Sequence, residues 1–210
     1  MTDYKKELEE LILTVIHESG SDLHLGAGKV PAIRVTGELI FLLKRPVLTE
    51  ADVNGILNEI LDKGKLAKFQ ETKELDFSYD FRGEARLRGN AFFQKGLVSM
   101  ALRLIPKARS IEELHLPPII AEMAHKKQGF FLVVGPVGHG KSTTLSAMIN
   151  LINNEQTRHI ITIEDPIEHI YIPNKSIINQ REVGIDTNDF HTALKSVFRE
   201  DVNIIMVVIS

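Results

Sequence analysis

A chain of 210 residues with 43% hydrophobic content has enough apolar material for one large domain or two small ones, which excludes a disordered chain. A net charge of −3 supplies no global basic field for duplex nucleic acid, and the absence of cysteine removes disulfides, thiolate zinc sites and cysteine catalysis together. The N-terminus runs into charge at Asp3, Lys5, Lys6 and Glu7, and no stretch approaches the ~18 uninterrupted apolar residues of a membrane span, so the expectation is a soluble chain with no nucleic acid partner and no direct membrane insertion.

Leu8, Leu11, Ile12, Val15 and Ile16 recur at helical spacing and predict an amphipathic helix ending near Gly20. Ser21 to Leu25 and Ala32 to Val35 alternate polar and apolar, which predicts half-buried antiparallel strands with turns at Gly26-Ala27-Gly28 and Thr36-Gly37-Glu38. Thr49, with Asp52 three residues on, marks a helix start; Val53, Ile56, Leu57, Ile60 and Leu61 supply its apolar face and Gly64 is expected to close it. Leu75, Phe77, Tyr79 and Phe81 alternate and lead through Arg82-Gly83-Glu84 into a second alternating run from Ala85 to Phe92, the pattern of a hairpin. A third run, Val98 to Ile105, ends at Pro106. The organisation read from this is an α+β domain over 1–105, a linker over 106–118 and a second domain over 119–210.

Phe130 to Val134 is a continuous apolar run suited to a buried strand, and Lys141 to Ile152 has helical spacing. Between them Gly135-Pro136-Val137-Gly138-His139-Gly140-Lys141-Ser142 matches G-x-x-x-x-G-K-[ST] in full and is followed by Thr143. Glycines let backbone N–H groups curl around a β-phosphate, and the helix that follows adds its positive dipole end. In this reading Gly135 to Thr143 bind the nucleotide, Lys141 reaches the β- and γ-phosphates and Ser142 holds Mg²⁺. The competing reading, a chance glycine-rich turn, explains neither flank.

His159 to Ile163 is a further buried strand candidate that ends in the acidic turn Glu164-Asp165-Pro166-Ile167-Glu168. Carboxylates at the C-terminal end of such a strand face the ligand crevice, where Glu164 would polarise an attacking water; a solvated turn accounts for the same residues equally well. Arg86 and Arg88 lie two apart on a strand and so share one face, which suits phosphate charge or, alternatively, solubility alone. The eight histidines form no cluster with carboxylates that would suit zinc.

The phosphate loop, Thr162-Ile163-Glu164-Asp165-Pro166-Ile167-Glu168, Gln180-Arg181-Glu182-Val183-Gly184, Phe190 through Ala193-Leu194, and Arg199-Glu200-Asp201 occur in the order seen in the secretion and type IV pilus ATPase superfamily. Upstream, Ser21-Asp22-Leu23-His24-Leu25, Arg34, Gly37, Arg86-Leu87-Arg88-Gly89-Asn90-Ala91-Phe92 and Arg103-Leu104-Ile105-Pro106 resemble the PilT-type retraction ATPases. The resemblance implies an N-terminal PAS-like α+β domain followed by a RecA-like P-loop ATPase domain with a mainly parallel sheet. It further implies ATP held between the domains, and a homo-hexamer at a pilus platform protein, cytoplasmic and peripheral at the inner membrane. By the same resemblance Glu164 is the carboxylate that helps activate water, and Arg86, Arg88 and Arg103 are candidates for reaching the nucleotide phosphates.

Departures from the family pattern qualify this. His139 stands where a small serine is usual, and Val208 and Ile209 stand where the Walker B segment has Gly-Glu. The histidine box and C-terminal helices have no counterpart, so the expectation is an incomplete RecA-like domain with impaired hydrolysis, in which the apolar run Ile204 to Ile209 lies uncovered and prone to self-association. Two functions follow: a motor coupling ATP hydrolysis to pilus retraction, or a non-hydrolysing nucleotide-binding or interaction module. A pilus-extension or type II secretion ATPase is a third, disfavoured by the short N-terminal region and the lack of a four-cysteine zinc insert.

Overall fold

The computed structural model describes residues 3–209, and its contacts divide the chain into two compact units, Met1–Ile105 and Pro106–Ser210. In the first, helix α1 (Tyr4–His17) starts at Asp3, whose side chain accepts from the Lys6 backbone N–H at 3.0 Å. Leu8, Leu11, Ile12 and Val15 form its buried stripe, as their spacing predicts. Helix α2 (Glu50–Ile60) carries a full capping box between Thr49 and Asp52, and Val53, Ile56 and Leu57 turn inward.

Gly64 does not close α2. The chain leaves that helix at Leu61 and enters a further helix, α3 (Lys63–Thr72), capped by Asp62. Only Leu66 and Phe69 of α3 meet the core, Phe69 stacking on Phe93 with ring centroids 4.9 Å apart, so its sequence shows too little periodicity to announce a helix.

These helices cover one face of a six-stranded antiparallel sheet formed by β1 (Asp22–Gly26), β2 (Ala32–Val35), β3 (Glu38–Phe41), β4 (Glu74–Phe81), β5 (Ala85–Gln94) and β6 (Leu97–Ile105). Their order is β3-β2-β1-β6-β5-β4. Strand β3 has every residue exposed and hence no alternation, which is why it is illegible in the sequence. On the core face Leu23, Ile33, Phe77, Leu87 and Leu102 interdigitate.

Gly89 of β5 sits directly opposite Phe77 of β4, and a Cβ there would come within 2.2 Å of the Phe77 ring and 2.9 Å of Leu102 Cδ2. The aromatic ring fills the space that a side chain would need. Gly89→Ala is therefore expected to destabilise the first unit by about 1–3 kcal/mol, the usual cost of overpacking a filled core, read as a lowered urea midpoint. An unchanged midpoint would show that the ring gives way freely.

The second unit holds α4 (Pro118–Ala124), α5 (Lys141–Glu155), β7 (His159–Asp165), β8 (Ile177–Glu182), α6 (Phe190–Val197) and β9 (Ile204–Ile209). Its sheet is parallel, in the order β8-β7-β9. β7 is central and buried on both faces. Ile160 packs with Met148, Ile149 and Ile152 of α5, while Ile161 and Ile163 pack with Ala193 and Val197 of α6, which explains the unbroken apolar run in its sequence.

One expectation is corrected here and a second in part. Residues 130–134 form no strand: Phe130 is 89% and Val134 77% exposed, because among the described residues no strand pairs with this segment and an apolar composition alone does not satisfy a backbone ladder. The run 204–209 keeps the open edge position expected of it, with Ile209 73% exposed, but its faces are partly covered. It pairs with β7, buries Met206 and Val208 in the α5 cluster and sets Ile205 against the α6 cluster.

Candidate functional site

The phosphate-loop segment lies exposed ahead of α5, with Gly138 and Gly140 at φ of 78° and 79°, conformations that glycine reaches without steric cost. Gly140 is the N-cap of α5 and brings no side-chain cap, whereas α1, α2, α3 and α6 are each capped by an Asp or Thr side chain. The first amides of α5 are thus left for an anion. Lys141 folds its ammonium back to donate to the Pro136 carbonyl at 2.9 Å, which sets its charge against the loop. His139 turns inward on the loop too, its Nδ1 lying 3.0 Å from the Val137 carbonyl. Ser142 and Thr143 are half-buried in the first turn. These residues fit a nucleotide phosphate: turned glycines, uncapped amides and one cation converge on one segment. No cluster of three or more His, Asp or Glu that could hold a metal ion exists among the described residues, so Mg²⁺ here would depend on Ser142 together with the phosphates themselves.

Glu164 lies at the C-terminal end of β7 and is only 3% exposed. Side chains alternate along a strand, so Thr162 and Glu164 share with Ile160 the face that α5 covers, which brings the carboxylate to the same side of the sheet as the helix that follows the phosphate loop. The Thr162 hydroxyl donates to Glu164 Oε1 at 2.6 Å and Gln180 Nε2 donates to the same oxygen at 3.2 Å. Burial pushes the Glu164 carboxyl above its ordinary range; these two donors and the Glu168 backbone N–H pull it partly back, and the Glu168 charge adds to the rise. Glu164 itself is thus withdrawn from solvent, although Asp165 beside it is exposed. Nearby, burial drives the Tyr171 hydroxyl far upward, eased by Ser146 of α5 and reinforced by Glu164.

The three arginines belong to the first unit and lie on the sheet face away from the helices. Arg88 of β5 stands directly opposite Arg103 of β6, Arg103 stands opposite Asp22 of β1, and Asp22 opposite Arg34 of β2, so one row of charge crosses four strands. Arg86 is half-buried and Arg88 exposed. Arg103 donates through Nε to Asp22 Oδ1 at 2.8 Å, while its side chain stays 71% exposed. Burial works against the Asp22 charge, but the Ser21 hydroxyl and the Arg103 guanidinium outweigh it and hold the carboxyl below the usual carboxylate range. Sequence reasoning assigned no role to Asp22, Thr162 or Gln180. Each acts through a partner on another strand or at another strand position, which a pairing register reveals and a linear motif does not.

Residues 93–208, more than half of the chain, match the family model described as type II/IV secretion system protein. The sequence is 41% identical over 96% of its length to the type IV pilus retraction ATPase PilT of Pseudomonas aeruginosa, and 40% identical over 96% to the type IV pilus ATPase PilU of the same organism. It spans 58% and 53% of the lengths of these two relatives. A crystal structure of the pilus retraction motor PilT with bound ADP superimposes with a TM-score of 0.84 at 43% identity, covering 95% of this chain and 58% of that one.

Proposed function

The chain belongs to the type II/IV secretion system protein family, and from that premise we propose that it is a nucleotide-binding part of a PilT-type motor, which couples ATP hydrolysis to type IV pilus retraction. One observation carries the reading. An uncapped phosphate loop and a buried carboxylate at the end of the central strand are served by the same face of one parallel sheet. Phosphoryl transfer requires positioned charge more than covalent chemistry, and that is what these residues supply. In this proposal residues 1–105 are the PAS-like domain, 106–118 the linker and 119–210 the RecA-like domain. Gly135 to Thr143 cradle ATP, Ser142 takes Mg²⁺, Glu164 activates water, and Arg86, Arg88 and Arg103 meet phosphate charge. The assembly is a homo-hexamer on an inner-membrane platform protein. No helix among the described residues is long and apolar enough to cross a membrane, which is compatible with peripheral attachment through a partner.

A second reading has its own observation. Val208 and Ile209 occupy the end of β9, where the family pattern has a glycine and a glutamate, so this strand brings no carboxylate to the site. That favours a module that binds nucleotide without hydrolysing it. Titration with a fluorescent ATP analogue alongside a phosphate-release assay separates the two: binding with turnover supports the motor, and binding without turnover supports the module. Absence of binding removes both.

The arginines provide a graded test. Arg88→Ala is expected to lower turnover roughly tenfold or more, as for loss of a donor to developing charge, with an unchanged Tm, because exposed strand charges contribute little to stability. Arg103→Ala should lower turnover similarly but also destabilise by on the order of 1 kcal/mol at neutral pH, a figure already discounted for the exposure of the guanidinium. The sign follows from Asp22. Its folded carboxyl is depressed, so the stability that the pair contributes is present above the ordinary carboxylate value and lost as pH falls through the depressed one; the variant should converge on the parent in acid. Full activity in both variants would return the arginines to a role in solubility.

A further inference from the structure

Gln180 of β8 makes three contacts with one side-chain amide. Its Nε2 donates to Glu164 Oε1 at 3.2 Å and to the His169 carbonyl at 2.8 Å, while its Oε1 accepts from the Tyr171 backbone N–H at 3.4 Å. The parallel register sets Gln180 directly opposite Thr162, whose hydroxyl reaches the same carboxylate oxygen at 2.6 Å. Two donors on adjacent strands therefore converge on Glu164 Oε1. The amide cannot rotate to serve another partner without releasing two backbone groups of the loop at 169–171, so the place of that loop and the place of the carboxylate are tied together.

We infer that Thr162 and Gln180 are positioning residues for Glu164, both holding its Oε1, with Gln180 linking the carboxylate to the loop that follows it. The inference rests on the reading of Glu164 as the carboxylate that activates water. A carboxylate enclosed in this way needs donors to stay ionised, and the Glu168 backbone N–H is the third beside these two side chains. The Glu168 charge on the same loop raises it, and the register sets Glu182, itself buried, opposite Glu164 on β8. The Tyr171 hydroxyl, eased by Ser146 of α5, feels the Glu164 charge, burial reduces the basicity of the His169 imidazole, and the β9 register sets the neutral Met206 and Val208 opposite Thr162 and Glu164. Burial and the Glu168 charge thus press Glu164 toward its neutral form, and two side-chain donors and the Glu168 backbone N–H oppose them.

The direct measurement is the carboxyl ¹³C titration of Glu164 in protein labelled at glutamate, with the resonance assigned by its disappearance in Glu164→Gln. Thr162→Val and Gln180→Leu should each raise the midpoint by about one unit, the scale expected for removing a donor from a buried carboxylate. Thr162→Ser, which keeps the hydroxyl, should restore the parent value. In the phosphate-release assay the same two variants should lower kcat with KM unchanged and move the acid limb upward in pH. Unmoved midpoints, or moved midpoints with parental kcat, would overturn the inference. Failure of the underlying reading looks different: Glu164→Gln itself would turn over normally. If Gln180→Leu does not fold, the Thr162 pair decides alone.

Discussion

Replacing Lys141 with alanine is expected to weaken MgATP binding by about 2–3 kcal/mol, roughly 30- to 150-fold in Kd, the range for a charge-assisted hydrogen bond lost from an anion site. The size of the effect follows from the loop. Gly135 to Gly140 contribute backbone amides and no charge apart from whatever His139 carries, so the ammonium of Lys141 is the fixed cation beside the first turn of α5. The helix dipole and the uncapped amides remain in the variant and should retain weak binding. Folding should be unaffected, since the ammonium's partner is the carbonyl of Pro136, which lies exposed and can take water instead. Titration with a fluorescent ATP analogue measures this directly, and equal affinity in the two proteins would remove the phosphate-loop assignment. His139→Ser is the useful control: it changes the loop without changing the fixed cation.

The glycine turn ahead of α5 was legible because its motif fixes residue types at set spacing, and the start of α2 was legible because a cap is local to three or four residues. What escaped was non-local or lacked contrast. Asp22 meets Arg103 only because β1 runs beside β6, and a strand order cannot be read from alternation. Gln180 stands in a recognisable motif, yet its partnership with Glu164 depends on the parallel register of β7 and β8. Alternation likewise reports only a strand with one wet face, so β3, exposed throughout, passed unnoticed. The segment 130–134 failed in the opposite sense, since its composition is that of a buried strand while its backbone lacks a ladder partner among the described residues.

Glu164 provides the strongest separation of stability from activity. Glu164→Gln should keep ATP bound but lower turnover about 10²-fold or more, because general-base assistance typically contributes 10²–10⁴ and the amide cannot accept the proton of an attacking water. Stability should move the other way. Burial raises the folded carboxyl above its unfolded value, so folding takes up a proton in the window between the two, and native stability falls as pH rises through that window. A glutamine avoids this cost. Its Oε1 can still accept from Thr162 and Gln180, so the hydrogen bonds at 2.6 and 3.2 Å need not be lost. The expected result at neutral pH is an inactive variant with a Tm equal to or above the parent's, the excess shrinking toward acid pH, where the parent carboxyl is itself neutral. Phosphate release measured beside thermal melts across pH checks both halves. Unchanged turnover would remove Glu164 from the chemistry, and a Tm lowered at neutral pH would mean that the ionised carboxylate, held by its two donors, stabilises the fold.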